Sequence, residues 1–371
     1  MVSLLSCIGV APSIHDQPGH ADHVGAREQY AATIKPERAN IAGPNLPSIR
    51  AKQAGQGPHR RLAWICLALL PLVSGAPAPD PRDPGSEVIA DQESITPIPQ
   101  PSAGDPLKLA LGESLFGDPR LSHDGTLACA SCHDIHTNGA DDGRRTTARD
   151  GSRLPFDTPT IFNAALSFRL NWEGNFRTLE AQAQSALENP TEMATSIDEV
   201  LQKLNADPKV VGQFNNAYGR GPNPSDLLDA IATYERSLLT PGSRFDRWLG
   251  GDTAELSAEE HGGYGLFKSL GCVSCHQGVN VGGNLYERQG IFHPLAAPKP
   301  EILRVPSLRN VATTAPYFHD GSAATLGDAV RKMAAAQLDL DLPDAQIQAI
   351  VAFLKTLTGN YQGVPVVAAA P

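Results

Sequence analysis

The chain has 371 residues, enough for one large domain or two smaller ones with real cores. Its 41% hydrophobic and 19% charged content excludes a disordered chain and a multi-span membrane protein. A net charge of -10 argues against nucleic acid as a partner, because a phosphate-binding surface needs the opposite sign.

Residues 1–58 are polar, lack periodicity and read as an unstructured extension or a start placed too early. Residues 59–78 read as a signal peptide. His59-Arg60-Arg61 is basic, Leu62 to Val73 is apolar apart from Pro71, and Ser74, Gly75, Ala76 and Ala78 are small. The apolar run is too short to span a bilayer comfortably, so a periplasmic protein with no membrane span in its mature form is expected. Residues 79–104, rich in Pro, Asp, Ser and Gly, read as a flexible lead-in.

Structure is expected to begin at Asp105-Pro106, a cap with proline at the first helical position. Leu107, Ala110, Leu111 and Leu115 follow at helical spacing, and Gly117 and Pro119 stop the helix. Residues 178–204 and 224–240 are amphipathic and helical in character, with breaks at Pro190, Pro208 and the 219–224 stretch. A second copy of the opening plan starts with the capping box Ser257/Glu260 and runs through Tyr264, Leu266 and Phe267 to Gly271. Asp344 opens a last helix whose Ile347, Ile350, Val351, Leu354 and Leu357 make one apolar stripe, a natural partner for 257–270. The expectation is a mainly α protein with little sheet and two related domains, 105–250 and 251–361, followed by a tail at 362–371.

Both copies of the plan lead into the same motif. Cys129-Ala130-Ser131-Cys132-His133 and Cys272-Val273-Ser274-Cys275-His276 are C-x-x-C-H units. This spacing lets two thioether bonds reach a porphyrin edge while the chain turns the imidazole under the iron. Zinc would need a second ligand pair at finger spacing, and a thioredoxin-like pair would lack the adjacent histidine. The remaining cysteines, Cys7 and Cys66, fall in the part expected to be absent from the mature protein. Two covalently bound haem c groups are therefore expected, each in a cytochrome c-like domain, with His133 and His276 as proximal ligands.

The sixth ligand decides each haem's task. Met333 lies in the helical segment Thr325–Gln337 of the second domain, where a distal methionine would raise the potential and favour electron transfer. Met193 reads as core packing. The first haem has no methionine in an equivalent place. His123 and His136 are its candidate distal ligands, although each reads more readily as a surface residue or a contact to a haem propionate.

From about Lys108 to Gly359 the chain resembles bacterial di-haem cytochrome c peroxidases. The resemblance is carried by Leu115-Phe116-x-Asp118-Pro119-Arg120-Leu121-Ser122, Pro159-Thr160-x-Phe162-Asn163, Trp172-Glu173-Gly174 and Phe245-Asp246-Arg247-Trp248-Leu249. It continues through Gly278-Val279-Asn280-x-Gly282-Gly283 and Leu308-Arg309-Asn310-x-x-x-Thr314-Ala315-Pro316-Tyr317-Phe318-His319. It implies hydrogen peroxide reduction at the N-terminal haem. Electrons would enter at the C-terminal haem from a small soluble donor of the cytochrome c or cupredoxin type. Glu192 would then be the catalytic acid-base, Gln182 a second polar group of the distal pocket and Trp172 a bridge between the haems. Asp157, Thr314 and Pro316 fall where the family binds calcium, with aspartate in place of the usual asparagine. The resemblance leaves a homodimer open.

One departure is plain. The family's blocking histidine would lie near Arg149, yet residues 137–160 contain none. The first haem is thus expected to be open to peroxide without prior reduction. The same departure keeps alive a relative's activity, peroxide-dependent oxidation of tryptophan in a partner protein. A non-catalytic electron carrier is the third reading, and it would need both haems six-coordinate.

Overall fold

The computed structural model describes residues 93–141, 154–295 and 300–369. The expected signal peptide, Cys7, Cys66 and the Arg149 position lie outside these residues. Nine α-helices and two small two-stranded sheets occur among the described residues, so the mainly helical class is as expected. None of the helices is long and apolar enough to cross a membrane.

Helix α1, Pro106–Phe116, starts at the expected place: Asp105 caps it by accepting from the Leu107 and Lys108 amides. Its buried face is Leu111, Gly112, Leu115 and Phe116, while Leu107 stays 52% exposed. The reason is a close helix crossing. A Cβ on Gly112 would lie 2.1 Å from the Ala230 carbonyl oxygen, so α1 turns this edge towards α5 (Pro224–Ser237). Helices α2 (Leu179–Glu188), α3 (Ile197–Asn205) and α4 (Pro208–Tyr218) complete the N-terminal half. Pro208, read in the sequence as a break, is instead the first residue of α4 behind the Asp207 cap. The core here is Leu111, Leu115, Leu187, Met193, Val200, Leu204, Phe214, Leu227 and Ile231.

The C-terminal half repeats the crossing. Helix α7, Ala258–Ser269, begins at the expected Ser257/Glu260 capping box. It packs on α9, Asp344–Lys355, where a Cβ on Gly263 would lie 1.9 Å from the Ala349 carbonyl oxygen. Around that contact stand Phe245 and Trp248 of α6 (Arg244–Leu249), with Tyr264, Phe267 and Phe353. The ring centroids of Phe245, Tyr264 and Phe353 lie 4.9–5.1 Å apart, good aromatic packing distances. Helix α8, Leu326–Leu338, closes this half. The sheets are β1 (Tyr286–Arg288) with β2 (Ile302–Arg304), and β3 (Asn360–Tyr361) with β4 (Val364–Pro365).

Two end segments pack more firmly than their composition suggests. In the lead-in, Ile95 and Ile98 are buried, the Gly278 amide donates to the Ser94 carbonyl at 2.7 Å, and Arg309 reaches Thr96. In the tail, Val366 is buried with Phe116, Phe162 and Tyr234 of the N-terminal half. Two isoleucines and one valine supply enough apolar area to order segments otherwise rich in turn formers.

Candidate haem sites and distal pocket

Each C-x-x-C-H unit forms a short 3-10 turn, Cys129–Ser131 and Cys272–Ser274. In both, the histidine amide closes onto the first cysteine's carbonyl at 3.0 Å. The imidazoles are then fixed alike. His133 Nδ1 lies 3.1 Å from the Gly139 carbonyl and His276 Nδ1 lies 3.2 Å from that of Val281. Burial holds both rings below the usual histidine range, His276 at about 4, so both are neutral at physiological pH. A neutral ring that donates from Nδ1 turns its Nε2 lone pair outward, the form that binds iron.

The four cysteines are free thiols. Burial pushes Cys129 up to about 12 and Cys272 up to about 11, so neither is a reactive thiolate. Among the described residues no three His, Cys, Asp or Glu side chains gather as a bare-ion site. Thiols and a neutral imidazole at this spacing fit a covalently attached haem, and they fit it twice.

Beyond the motifs, the halves are related by a second, hidden repeat. Asn163 and Asn310, both left-handed at φ 61° and 59°, open matching 3-10 turns. Both carboxamides donate to one hydroxyl, Thr240 Oγ1, at 2.8 and 3.0 Å. The offset, 310 minus 163, is 147 residues. The same offset relates the isolated bridges Leu170–Phe176 and Tyr317–Ala323 and the helix caps Thr178 and Thr325. The signal was present in the sequence as Pro159-Thr160-x-x-Asn163 and Pro306-Ser307-x-x-Asn310.

The repeat pairs Met333 with Ala186, 333 minus 147. Met333 is half-buried on α8, on the stripe formed by Leu326, Ala329 and Val330 that packs towards the C-terminal core. Ala186 on α2 offers no ligating atom. Met193 is 7% exposed within the N-terminal core, in agreement with a packing role. His136 is exposed, and His123 is exposed with Nδ1 3.0 Å from Glu199 Oε2.

After α2 the chain folds back over the end of that helix. The Met193 amide donates to the Ala186 carbonyl and the Thr195 amide to that of Leu187. Glu192 therefore sits in this turn, not on a helix, and one residue from the strand of backbone that touches Ala186. It is half-buried, and burial pushes its carboxyl above the ordinary range, opposed by the Asn189 carboxamide donating at 2.7 Å. Gln182 is half-buried one turn earlier on α2. A further buried carboxyl, Glu235 on α5, was missed in the sequence. It is 4% exposed, is pushed up to about 8 by burial and by nearby Glu180, and has no partner for Oε2.

Trp172 marks the place where the two repeats cross. Its carbonyl accepts from the Arg304 amide at 2.9 Å, while the Asp157 amide donates to the His319 carbonyl at 2.8 Å. Arg304 and Asp157 are repeat equivalents, as are His319 and Trp172, so each half makes the same bond to the other. The Trp172 indole donates to the Asp157 carbonyl at 2.8 Å, and its ring centroid lies 6.4 Å from that of His319. Asp157 and Pro316 share one corner: a Cβ on Gly321 would lie 2.5 Å from Asp157 Oδ2 and 3.1 Å from Pro316 Cγ. Thr314 is two residues away, with its hydroxyl turned to the Val311 carbonyl at 3.3 Å.

Comparison with known proteins agrees with this geometry. The family model for di-haem cytochrome c peroxidase matches residues 106–254, and that for cytochrome c matches residues 261–358. The chain is 40% identical over 320 residues to cytochrome c peroxidase Ccp of Escherichia coli (strain K12), covering 81% of this chain and 67% of that protein. It is 38% identical over 289 residues to cytochrome c551 peroxidase of Nitrosomonas europaea, with coverages of 74% and 86%. Among solved structures, a MauG-like protein associated with microbial copper homeostasis matches with a TM-score of 0.62 at 27% identity, covering 71% of this chain and 93% of that one. The chain belongs to the di-haem cytochrome c peroxidase family: it is a peroxidase with two c-type haems.

Proposed function

We propose that this peroxidase reduces hydrogen peroxide to water at the haem held by Cys129, Cys132 and His133. Electrons enter from a small soluble donor at the haem held by Cys272, Cys275, His276 and Met333, and pass by Trp172. The observation that carries the assignment is the pair Ala186 and Met333: equivalent helix positions, one without a ligating atom and one with a thioether. Peroxide needs a vacant iron face, and a methionine-ligated haem suits electron entry.

The haem iron supplies the site where the O–O bond breaks with two electrons. Glu192 accepts a proton from one peroxide oxygen and returns it to the departing one, so that two further protons from solvent complete two waters. Burial raises the Glu192 carboxyl above the ordinary range, which makes it a stronger proton acceptor than an exposed carboxylate. Gln182, half-buried on α2, orients the peroxide by hydrogen bonding. Asp157, with the carbonyls of Thr314 and Pro316, forms the calcium site, supported by the shared corner of Asp157 and Pro316. One carboxylate with carbonyls is a hard-oxygen set suited to that ion. The signal peptide reading, with haem c attachment, supports a periplasmic location.

The test is peroxide turnover of the haem-loaded protein with a reduced small cytochrome as donor. Met333→Leu should abolish electron entry while a strong chemical reductant still supports turnover. Glu192→Gln should lose turnover with either reductant. Full donor-driven activity in Met333→Leu would contradict the proposed direction of flow. Oxidation of a partner's tryptophan in place of donor turnover would favour the alternative activity.

A further inference from the structure

Arg304 is a buried cation. It is 8% exposed, and no carboxylate among the described residues pairs with it. Its Nε donates to the Asn171 carbonyl at 3.0 Å and its Nη1 lies a long 3.4 Å from the Val305 carbonyl. Among the described residues the guanidinium makes no further hydrogen bond. Arg309 shows what a satisfied neighbour looks like: its Nη1 meets Asp246 at 2.7 Å, and the Val279 and Thr96 carbonyls take the rest at 2.8 Å. A buried cation left unpaired is strongly destabilising, so an anion belongs beside Arg304.

Its place in the fold says which anion. Arg304 ends β2, and its partner β1 follows directly on the loop after His276. Two residues on, the Pro306 carbonyl contacts the His276 ring. The other neighbour is Trp172, whose carbonyl holds the Arg304 amide. At the equivalent position of the other half Asp157 makes the same backbone bond, so the fold does not require an arginine here.

We propose that Arg304 is a positioning residue that binds a carboxylate side chain of the haem attached at Cys272 and Cys275, and so fixes a positive charge between that haem and Trp172. The proposal rests on the two-haem reading with Trp172 as the bridge. A planar guanidinium and a carboxylate pair through two parallel hydrogen bonds, which sets orientation as well as charge. A fixed cation beside a haem favours the reduced state, because reduction adds an electron next to it.

The experiment is a spectroelectrochemical titration of both haems in the haem-loaded protein, with Arg304→Gln, Arg304→Lys and Trp172→Phe. Arg304→Gln should lower the reduction equilibrium of the C-terminal haem about tenfold, or 59 mV for one electron. The N-terminal haem should move less, and Arg304→Lys should recover most of the shift. Unchanged potentials with full haem content in Arg304→Gln overturn the proposal, as does a shift confined to the N-terminal haem. Trp172→Phe should leave both potentials in place and slow electron transfer between the haems; if transfer keeps its rate, the bridge reading fails and the Arg304 assignment stands. Should Arg304→Gln not assemble, the crystal structure of the haem-loaded wild type decides. A haem carboxylate against the guanidinium supports the proposal, and water or a protein carboxylate there ends it.

Discussion

In the N-terminal half, the helix that follows the Asn163 turn carries Ala186 at its eighth position after the cap; in the C-terminal half, the helix after the Asn310 turn carries Met333 there. Nearly everything upstream is shared: the cysteine turns, the histidine bonds to backbone carbonyls, the left-handed asparagines and the crossing at a glycine. The backbone is thus built twice, and the proposed function divides the chemistry by a few side chains that the shared backbone leaves free. On the proposed function, Met333 would ligate the haem of the C-terminal half, and Glu192 would serve the haem of the N-terminal half, where Ala186 offers no ligand.

Glu192→Gln attacks the vacant side most directly and should show the largest effect. Loss of a positioned acid-base group costs about 10²- to 10⁴-fold in turnover, with haem content unchanged. The wild-type rate should rise with pH as the raised carboxyl ionises, since the base form must accept the first proton, and that limb should vanish in the variant. Ala186→Met makes the halves alike. It should convert the N-terminal haem to a six-coordinate, low-spin state and suppress turnover, whereas Ala186→Leu, of similar bulk without sulfur, should leave the iron five-coordinate.

A smaller effect concerns Glu235. It lies five residues beyond Ala230 on α5, where the matching helix α9 has the buried Leu354 five residues beyond Ala349. Because its folded pKa of about 8 exceeds the ordinary 4.5, the unfolded chain ionises first. Stability should therefore fall as pH rises from 4.5 to about 8 and level off above. Glu235→Gln should remove that decline, on the order of 5 kcal/mol between pH 4.5 and pH 9 in chemical denaturation. Thr240→Val strips the hydroxyl that joins both asparagines. Leaving buried carboxamide donors unpaired should cost about 2 kcal/mol, read in the same assay, and an unaffected protein would mean the junction is held elsewhere.

Much of the fold was legible in local chemistry. Asp105-Pro106 and Ser257/Glu260 announced two helix starts because capping is a matter of neighbouring atoms, and the α9 stripe named its own partner. Pro208 misled because proline stops one helix and starts another with equal ease. The burial of Ile95 and Val366 was hidden because it depends on surfaces distant in the chain. At the site, the thiols and imidazoles were legible from spacing alone. The Ala186–Met333 equivalence was not, since an alanine carries no signal until a fold pairs it with something. Arg304 was hidden for a related reason: its missing partner shows only once its surroundings are known.

The most direct measurement is the spin state of the two haems in the fully oxidised, haem-loaded protein, by low-temperature electron paramagnetic resonance with matching electronic spectra. One high-spin iron beside one low-spin, histidine–methionine iron is the expected result. Two low-spin irons would mean that a protein atom caps the N-terminal haem, and peroxide could not bind there without prior rearrangement.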